Sequence, residues 1–323
     1  MKGRCFLVFF MVMILGVGAD RATAADFPTK AITLQVAMPA GGSTDVGARI
    51  LASIAEKMIG QPMVVVNKVG AGGQIGWTEL ARQKPDGYYI GFLMVPSLST
   101  CILDPERKAT FNLDSFVPII NQVLDPGLIW VKADSPYKTL KDLLDDAKKR
   151  PGVIRASTTG ILTDDHLAIL MMEEAAGVKF RIIHLEGAAP QLMATLGGQV
   201  DVSFDNVGSV APRVKGGELR GLAVMDYERS KFLPDVPTTV DLGYPTVISS
   251  STRGVAGPKG LPDPIVQKLQ SVFKKAMEDP EHIKRMEQAG LAIKPMVRSE
   301  YGKFLRDLQE KAKPLVELSR KSR

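Results

Sequence analysis

Apolar residues in this chain follow two rhythms, which alternate from residue 32 onward. Short β-branched runs, ITLQVAM (32–38) and MVVVN (63–67), read as strands. Each leads into a glycine-rich stretch, PAGGSTD (39–45) and GAGGQIG (70–76), and then into a segment of helical periodicity. Ile50, Leu51, Ile54, Ala55 and Met58 predict an inward stripe on a helix from Thr44 to Met58, which Gly60 ends. A second helix is expected over Gln74–Gln83, closed by the turn KPDG (84–87), ahead of a buried strand YYIGFLM (88–94). Asp125-Pro126-Gly127 reads as a turn before the strand LIWVKA (128–133). Further strands are expected at 153–160, 179–185, 200–206, 219–225 and 253–258. Helices are expected over 139–149, near 164–176 and 189–196, and near 263–277, 280–288 and 299–319.

This alternation predicts an α/β architecture. Roughly 300 residues past the N-terminal segment exceed one ordinary core, so two lobes are expected. The layout assigns 26–127 plus 248–323 to one lobe and 128–247 to the other, with crossings near Asp125–Leu128 and Val247–Ser251. Two crossings make a hinge over a cleft. Periodicity alone also allows one continuous sheet.

The first 25 residues are a different kind of segment. Lys2 and Arg4 precede the apolar run FLVFFMVMILGVGA (6–19), and Ala22-Thr23-Ala24 supplies small residues for cleavage. That is the pattern of a signal peptide, too short for a membrane span, so a soluble protein beginning near Ala25 or Asp26 is expected in the periplasm. Loss of Lys2, Arg4, Arg21 and Asp20 takes the net charge from +6 to about +4. With no clustered basic stripe, nucleic acid is not an expected partner. Cys101 is the one cysteine left after processing, so no internal disulfide forms.

The two glycine-rich loops carry the chemistry. Each sits between a strand and a helix, where glycine admits close approach and helix N-terminal N–H groups favour negative charge. Together they predict a cleft for a small anion. GAGGQIG fits neither the dinucleotide fingerprint, since Ile75 holds the third glycine position, nor the Walker pattern, since no Lys-Ser/Thr follows. No metal-ligand spacing links His166, His184 and His282, no G-x-S-x-G elbow occurs, and Cys101 has no evident activating partner. Neither a metal nor a cofactor is expected, and the chain reads as a non-enzyme. An enzyme acting on a carboxylate stays as a minor alternative, because triads assemble in space without local spacing.

Nine blocks resemble the tripartite tricarboxylate transporter solute-binding proteins, the Bug or TctC-type periplasmic receptors. They are PAGGSTDVGARILA (39–52), NKVGAGGQIG (67–76), PDGYYIGF (85–92), AKKRPGVIRASTTG (147–160), His166-Leu167-Ala168, GGQVDVSFDN (197–206), GGELRGLAV (216–224), DVPTTVDLGYP (235–245) and RGVAGPKGLP (253–262). The resemblance implies a type II periplasmic binding protein fold whose two α/β lobes close around the cleft. It also implies a small carboxylate ligand, held by loop amides, hydroxyls and water, and a two-component membrane permease as partner, with the receptor a monomer. An extracytoplasmic partner of a membrane sensor is the alternative role.

Carried onto this sequence, the resemblance places Ala40, Gly41, Gly42, Ser43 and Thr44 in the first ligand loop. Ser43 or Thr44 is expected to cap the first helix, and Ser43 is open between capping and touching ligand. Asp45 is expected to pair with Arg49 one turn later and to meet ligand only through water. Gly72 and Gly73 lie on the opposite rim of the same lobe. In the second lobe the resemblance implicates the hydroxyl-rich loop Ser157, Thr158, Thr159 and Gly160, then His166, then Gly187 and Ala188. Asp164 and Asp165 can cap the next helix. Asp205 and Asn206 either bind ligand hydroxyls or tie down a turn. Two departures stand out: Glu186, where a basic residue often precedes the loop glycine, and Arg253, where an aromatic often precedes Gly254. Arg253 reads either as a bidentate carboxylate grip or as a hinge ion pair.

Overall fold

The computed structural model describes residues 27–321, so the predicted signal peptide lies outside the described residues. Among the described residues, ten strands and ten α-helices follow one another. The first part holds β1 (Ile32–Val36), α1 (Ser43–Ile59), β2 (Met63–Asn67), α2 (Gln74–Ala81), β3 (Tyr89–Val95) and α3 (Ser97–Leu103). The middle holds β4 (Phe116–Lys132), α4 (Leu140–Lys149), β5 (Arg155–Thr158), α5 (Asp164–Ala176), β6 (Arg181–His184), α6 (Ala188–Leu196), β7 (Val202–Asn206), α7 (Val207–Lys215) and β8 (Leu219–Met225). The last part holds β9 (Ser250–Pro258), α8 (Asp263–Glu278), α9 (Pro280–Gln288), β10 (Ile293–Val297) and α10 (Arg298–Lys321).

Strand β4, 17 residues long, belongs to both halves of the sheet. From Phe116 to Pro126 it pairs antiparallel with β9, whose other edge holds β3, then β1 and β2 in parallel. From Gly127 onward β4 pairs with β7 and β8, and β7 leads on to parallel β5 and β6. The transfer falls at Pro126–Gly127, inside the stretch read from sequence as a turn. A continuous strand survives there because proline sits where the pairing changes partner, and Gly127 N–H still reaches Ser249 O at 2.8 Å. Pro118, at the other end, lies next to a register shift.

Each half has its own apolar core. Leu51, Ile54 and Ala55 of α1 pack on Ile32, Leu34 and Val36, with Leu269 and Phe273 of α8 in the same cluster. Met58 ends this stripe outward instead, 41% exposed, beside the helix's last turn. Ile129, Val131, Ile169, Met172 and Phe204 centre the second core. Gly60 closes α1 in the left-handed conformation (φ 76°), where a side chain would be strained. Sequence periodicity passed over α3, α7 and β10, all short. Among the described residues no helix is long and apolar enough to cross a membrane.

Candidate functional site

The ends of β1, β5 and β7 open toward one cavity of about 420 Å³ between the halves of the sheet, within the usual range for small-ligand sites. Of the residues expected there from sequence, Ala40, Gly42, Ser43, Thr44, Gly72, Gly73, Thr159, Gly160, Gly187, Ala188, Asp205 and Arg253 line it.

Helix α1 starts from Gly42 without a side-chain cap, so neither Ser43 nor Thr44 plays the capping role expected of it. Ser43 Oγ lies 3.3 Å from Ser209 Oγ across the cleft, and Thr44 Oγ1 turns to Met94 Sδ at 3.6 Å. The first-turn N–H groups of α1 therefore stay free of side-chain acceptors. The same is true of α6, which starts from Gly187 without a side-chain cap. Pro190 in its first turn has no N–H, which leaves those of Ala188 and Ala189 at the cavity wall. Two helices from opposite sides thus direct their positive ends at one cavity.

Five of the expected residues stand behind the wall. Asp45 is buried and accepts from Gly41 N (2.9 Å), Asn67 Nδ2 (2.9 Å) and Arg49 Nε (3.0 Å), which occupies both Asp45 and Gly41. These bonds, with the nearby Arg49 charge, outweigh burial and hold the Asp45 carboxyl below its ordinary range. Ser157 Oγ lies 2.7 Å from Ser203 Oγ in the core, and Thr158 Oγ1 lies 2.9 Å from His184 Nδ1. His166 is buried, takes Leu162 N–H on Nδ1 at 3.1 Å, and meets the His184 ring edge-on at 4.6 Å. Thr163, rather than Asp164 or Asp165, caps α5. Asp165 instead accepts from the N–H and hydroxyl of Thr159.

Arg253 is 2% exposed; each terminal nitrogen makes one hydrogen bond, and its Nε has no hydrogen-bond partner. Nη1 donates to Asp125 Oδ2 and Nη2 to Asn206 Oδ1, each at 2.8 Å. Asn206 in turn donates to Asp164 Oδ2 at 2.8 Å, and Asp125 Oδ1 takes Gly208 N–H at 3.0 Å. A buried polar network therefore joins β4 and β9 to the cleft floor. Burial raises the Asp125 carboxyl above its ordinary range, against the pull of the Arg253 charge. Asp205 Oδ1 accepts from Asn206 N (2.7 Å) and Ser209 Oγ (3.1 Å), and its Oδ2 has no hydrogen-bond partner. Glu186 is exposed at the rim.

Sequence reasoning missed Arg107. Half-buried, it donates to Ala71 O on one side of the cleft (2.6 Å) and to Ile161 O on the other (2.9 Å). Thr100 Oγ1 makes a parallel link to Leu162 O at 2.8 Å. Buried Cys101, within 3.7 Å of Arg107, has its thiol pushed up to about 11 by burial, so it stays protonated. Nothing local in Pro105-Glu106-Arg107 marks the arginine, since its partners come from two distant loops.

Residues 47–320 match the sequence pattern of the tripartite tricarboxylate transporter family receptor. A Cupriavidus necator protein described as the UPF0065 protein in the gbd 5′ region is 34% identical over 310 residues, 94% of this chain and 92% of that one. The structure of the periplasmic binding protein BugD superposes with a TM-score of 0.84 at 32% identity, over 91% of this chain and 98% of that one. MatC from Rhodopseudomonas palustris, solved with bound malate, shares the fold (TM-score 0.82, 24% identity, 90% and 100% covered). The chain thus has the mixed α/β fold of periplasmic binding proteins, and it belongs to the tripartite tricarboxylate transporter family of receptors, which are binding proteins and not enzymes.

Proposed function

We propose that the protein is a periplasmic receptor that captures a small organic acid for a two-component membrane permease of the tripartite tricarboxylate type. The observation that carries this reading is the convergence of two uncapped helix N-termini, α1 and α6, on one cavity. Each such end bears roughly half a positive charge and open N–H donors, which suits a carboxylate without a dedicated basic side chain. Ala40, Gly42, Ser43 and Thr44 hold the acid from one lobe, and Thr159, Gly160, Gly187 and Ala188 from the other. Malate bound to the Rhodopseudomonas relative is in keeping with that ligand class. The lobes comprise 26–127 with 248–323, and 128–247, and the receptor works as a monomer after its signal peptide is removed.

A thermal-shift panel on refolded, solute-free protein tests the reading. An acid at 100 times its dissociation constant should stabilise by about 2.7 kcal/mol, and the matched amide should not. Equal shifts with the amides would sink it.

Arg107 acts on closure. Its hydrogen bond to Ile161 O exists only while the lobes are together, and a charge-assisted bond contributes about 1.5–3 kcal/mol. Arg107→Ala should therefore speed dissociation of a bound acid by roughly 10- to 150-fold in stopped-flow traces, with association little changed.

A further inference from the structure

Four aspartates gather under the cavity floor. Asp125 lies on β4, Asp164 and Asp165 open α5, and Asp205 lies near the end of β7; none is more than 4% exposed. Arg253 of β9 is set among them, bonded to Asp125 and joined to Asp164 through Asn206. His184 of β6 lines the cavity and meets His166 of α5 edge-on, while Glu186 and Arg107 stand at the rim. Asp45, behind α1, has Arg49 as its own partner. Fully ionised, the four buried carboxyls would leave three negative charges beyond what Arg253 offsets. An anionic solute adds to them, and charges of one sign held together out of water are relieved by protons. Asp205 is the member placed to take one. It lines the cavity, its Oδ1 accepts from Asn206 N and Ser209 Oγ, and its Oδ2 is buried without a partner. Arg253 Nε is likewise buried and unpartnered, a donor an anion can use. A proton on Asp205 Oδ2 turns a repelling acceptor into a second donor.

We propose that Asp205 is a proton-binding site filled as the acid enters the cavity, so that the receptor carries solute and proton together. This rests on the carboxylate reading above and adds a second cargo to it. Burial, with Asp164 nearby, pushes the empty Asp205 carboxyl up to about 7, despite the bonds from Asn206 and Ser209 and the Arg253 charge. Burial and the charges of Asp164 and Asp205 hold Asp165 well above its ordinary range, which leaves Asp205 as the carboxyl that titrates near neutrality. A bound carboxylate raises Asp205 further. Above about pH 7 the empty site must gain the proton in order to bind, so affinity falls as pH rises. At lower pH the proton is already in place and affinity is level.

Calorimetric titration of the solute-free protein with malate, succinate and benzoate tests the idea. These acids stay ionised throughout the range used, so any proton taken up goes to the protein. Parallel titrations in HEPES and in Tris, whose ionisation heats differ, count that proton. An acid that binds should bring in most of one proton at about pH 8 and weaken by roughly five- to tenfold per pH unit between about pH 7.5 and 9. Asp205→Asn, neutral at every pH, should bind with level affinity over that range and take up no proton. Binding without proton uptake in the unaltered protein overturns the proposal, whether or not the variant folds. So does a pH slope that persists in Asp205→Asn, since it would belong to His166, His184 or another aspartate. A panel in which no acid binds even at about pH 6.5 overturns the carboxylate reading together with the proposal, whereas binding that ignores pH removes the proton alone.

Discussion

Gly187→Val should abolish tight solute binding while both lobes still fold. Gly187 adopts φ +105°, and a Cβ built there would stand 3.1 Å from Pro39 Cγ, across the cleft. Two separate penalties follow. The backbone conformation is all but closed to other residues and costs about 1–3 kcal/mol, in the open and closed protein alike. The clash with Pro39 exists only when the lobes meet, so it lowers affinity rather than intrinsic stability. With valine the second penalty should reach about 2.7 kcal/mol, a 100-fold loss of affinity. A double variant separates the two. Gly187→Ala with Pro39→Ala should recover most of the affinity and none of the thermal midpoint, because trimming the proline ring relieves only the contact. Recovery of neither would mean that the glycine serves backbone geometry alone.

Arg253→Met should cost the solute-free protein about 3–5 kcal/mol, because it strands the Asp125 carboxylate, 0% exposed, without its partner. In a protein of this size that is a fall of roughly 5–8 °C in the unfolding midpoint. The pH dependence gives the cause. The Asp125 carboxyl lies above its ordinary range even with the guanidinium present, and removal of that charge raises it further. The folded variant then binds a proton more readily than the unfolded chain, so its stability rises as pH falls from 7 toward 5. The gap to the unaltered protein should narrow by at most about 1.4 kcal/mol per pH unit. Asp125→Asn added to Arg253→Met should remove that pH dependence and restore much of the loss. A gap that is flat with pH would point to lost packing of the arginine stem instead.

The glycine loops were legible because their evidence is local: a strand, a run of glycines, then a helical stripe. That local logic pointed to Ala40, Gly42 and Gly73, the family resemblance pointed to Thr159 and Gly187, and all five line one cavity. It erred on caps, since Ser43 and Thr44 look like capping residues, yet their hydroxyls are taken by Ser209 and Met94 from elsewhere in the fold. It also passed over the strand from 116 to 124 and took residues 125–127 for a turn. Pro118, Pro126 and Gly127 argue against a strand, and what overrides them is the long partner β9, invisible in a local window. Arg107 and the Asn206 bridge escaped notice for the same reason. Their partners at residues 71, 161, 125, 164 and 253 meet only after the sheet has formed.

The pairing of β4 with β9 also has a mechanical consequence. At Asp125–Pro126 and Ser250–Ser251 the two chain crossings are neighbours on one ladder, residue opposite residue. A two-stranded ribbon flexes easily out of its own plane and resists shear within it, because in-plane sliding would stretch the ladder bonds. In the two-lobed receptor proposed above, such a joint would work more like a leaf spring than a ball joint. Opening of that receptor should then have one soft direction, and a single inter-lobe distance, followed by paired spin labels, should report the whole motion.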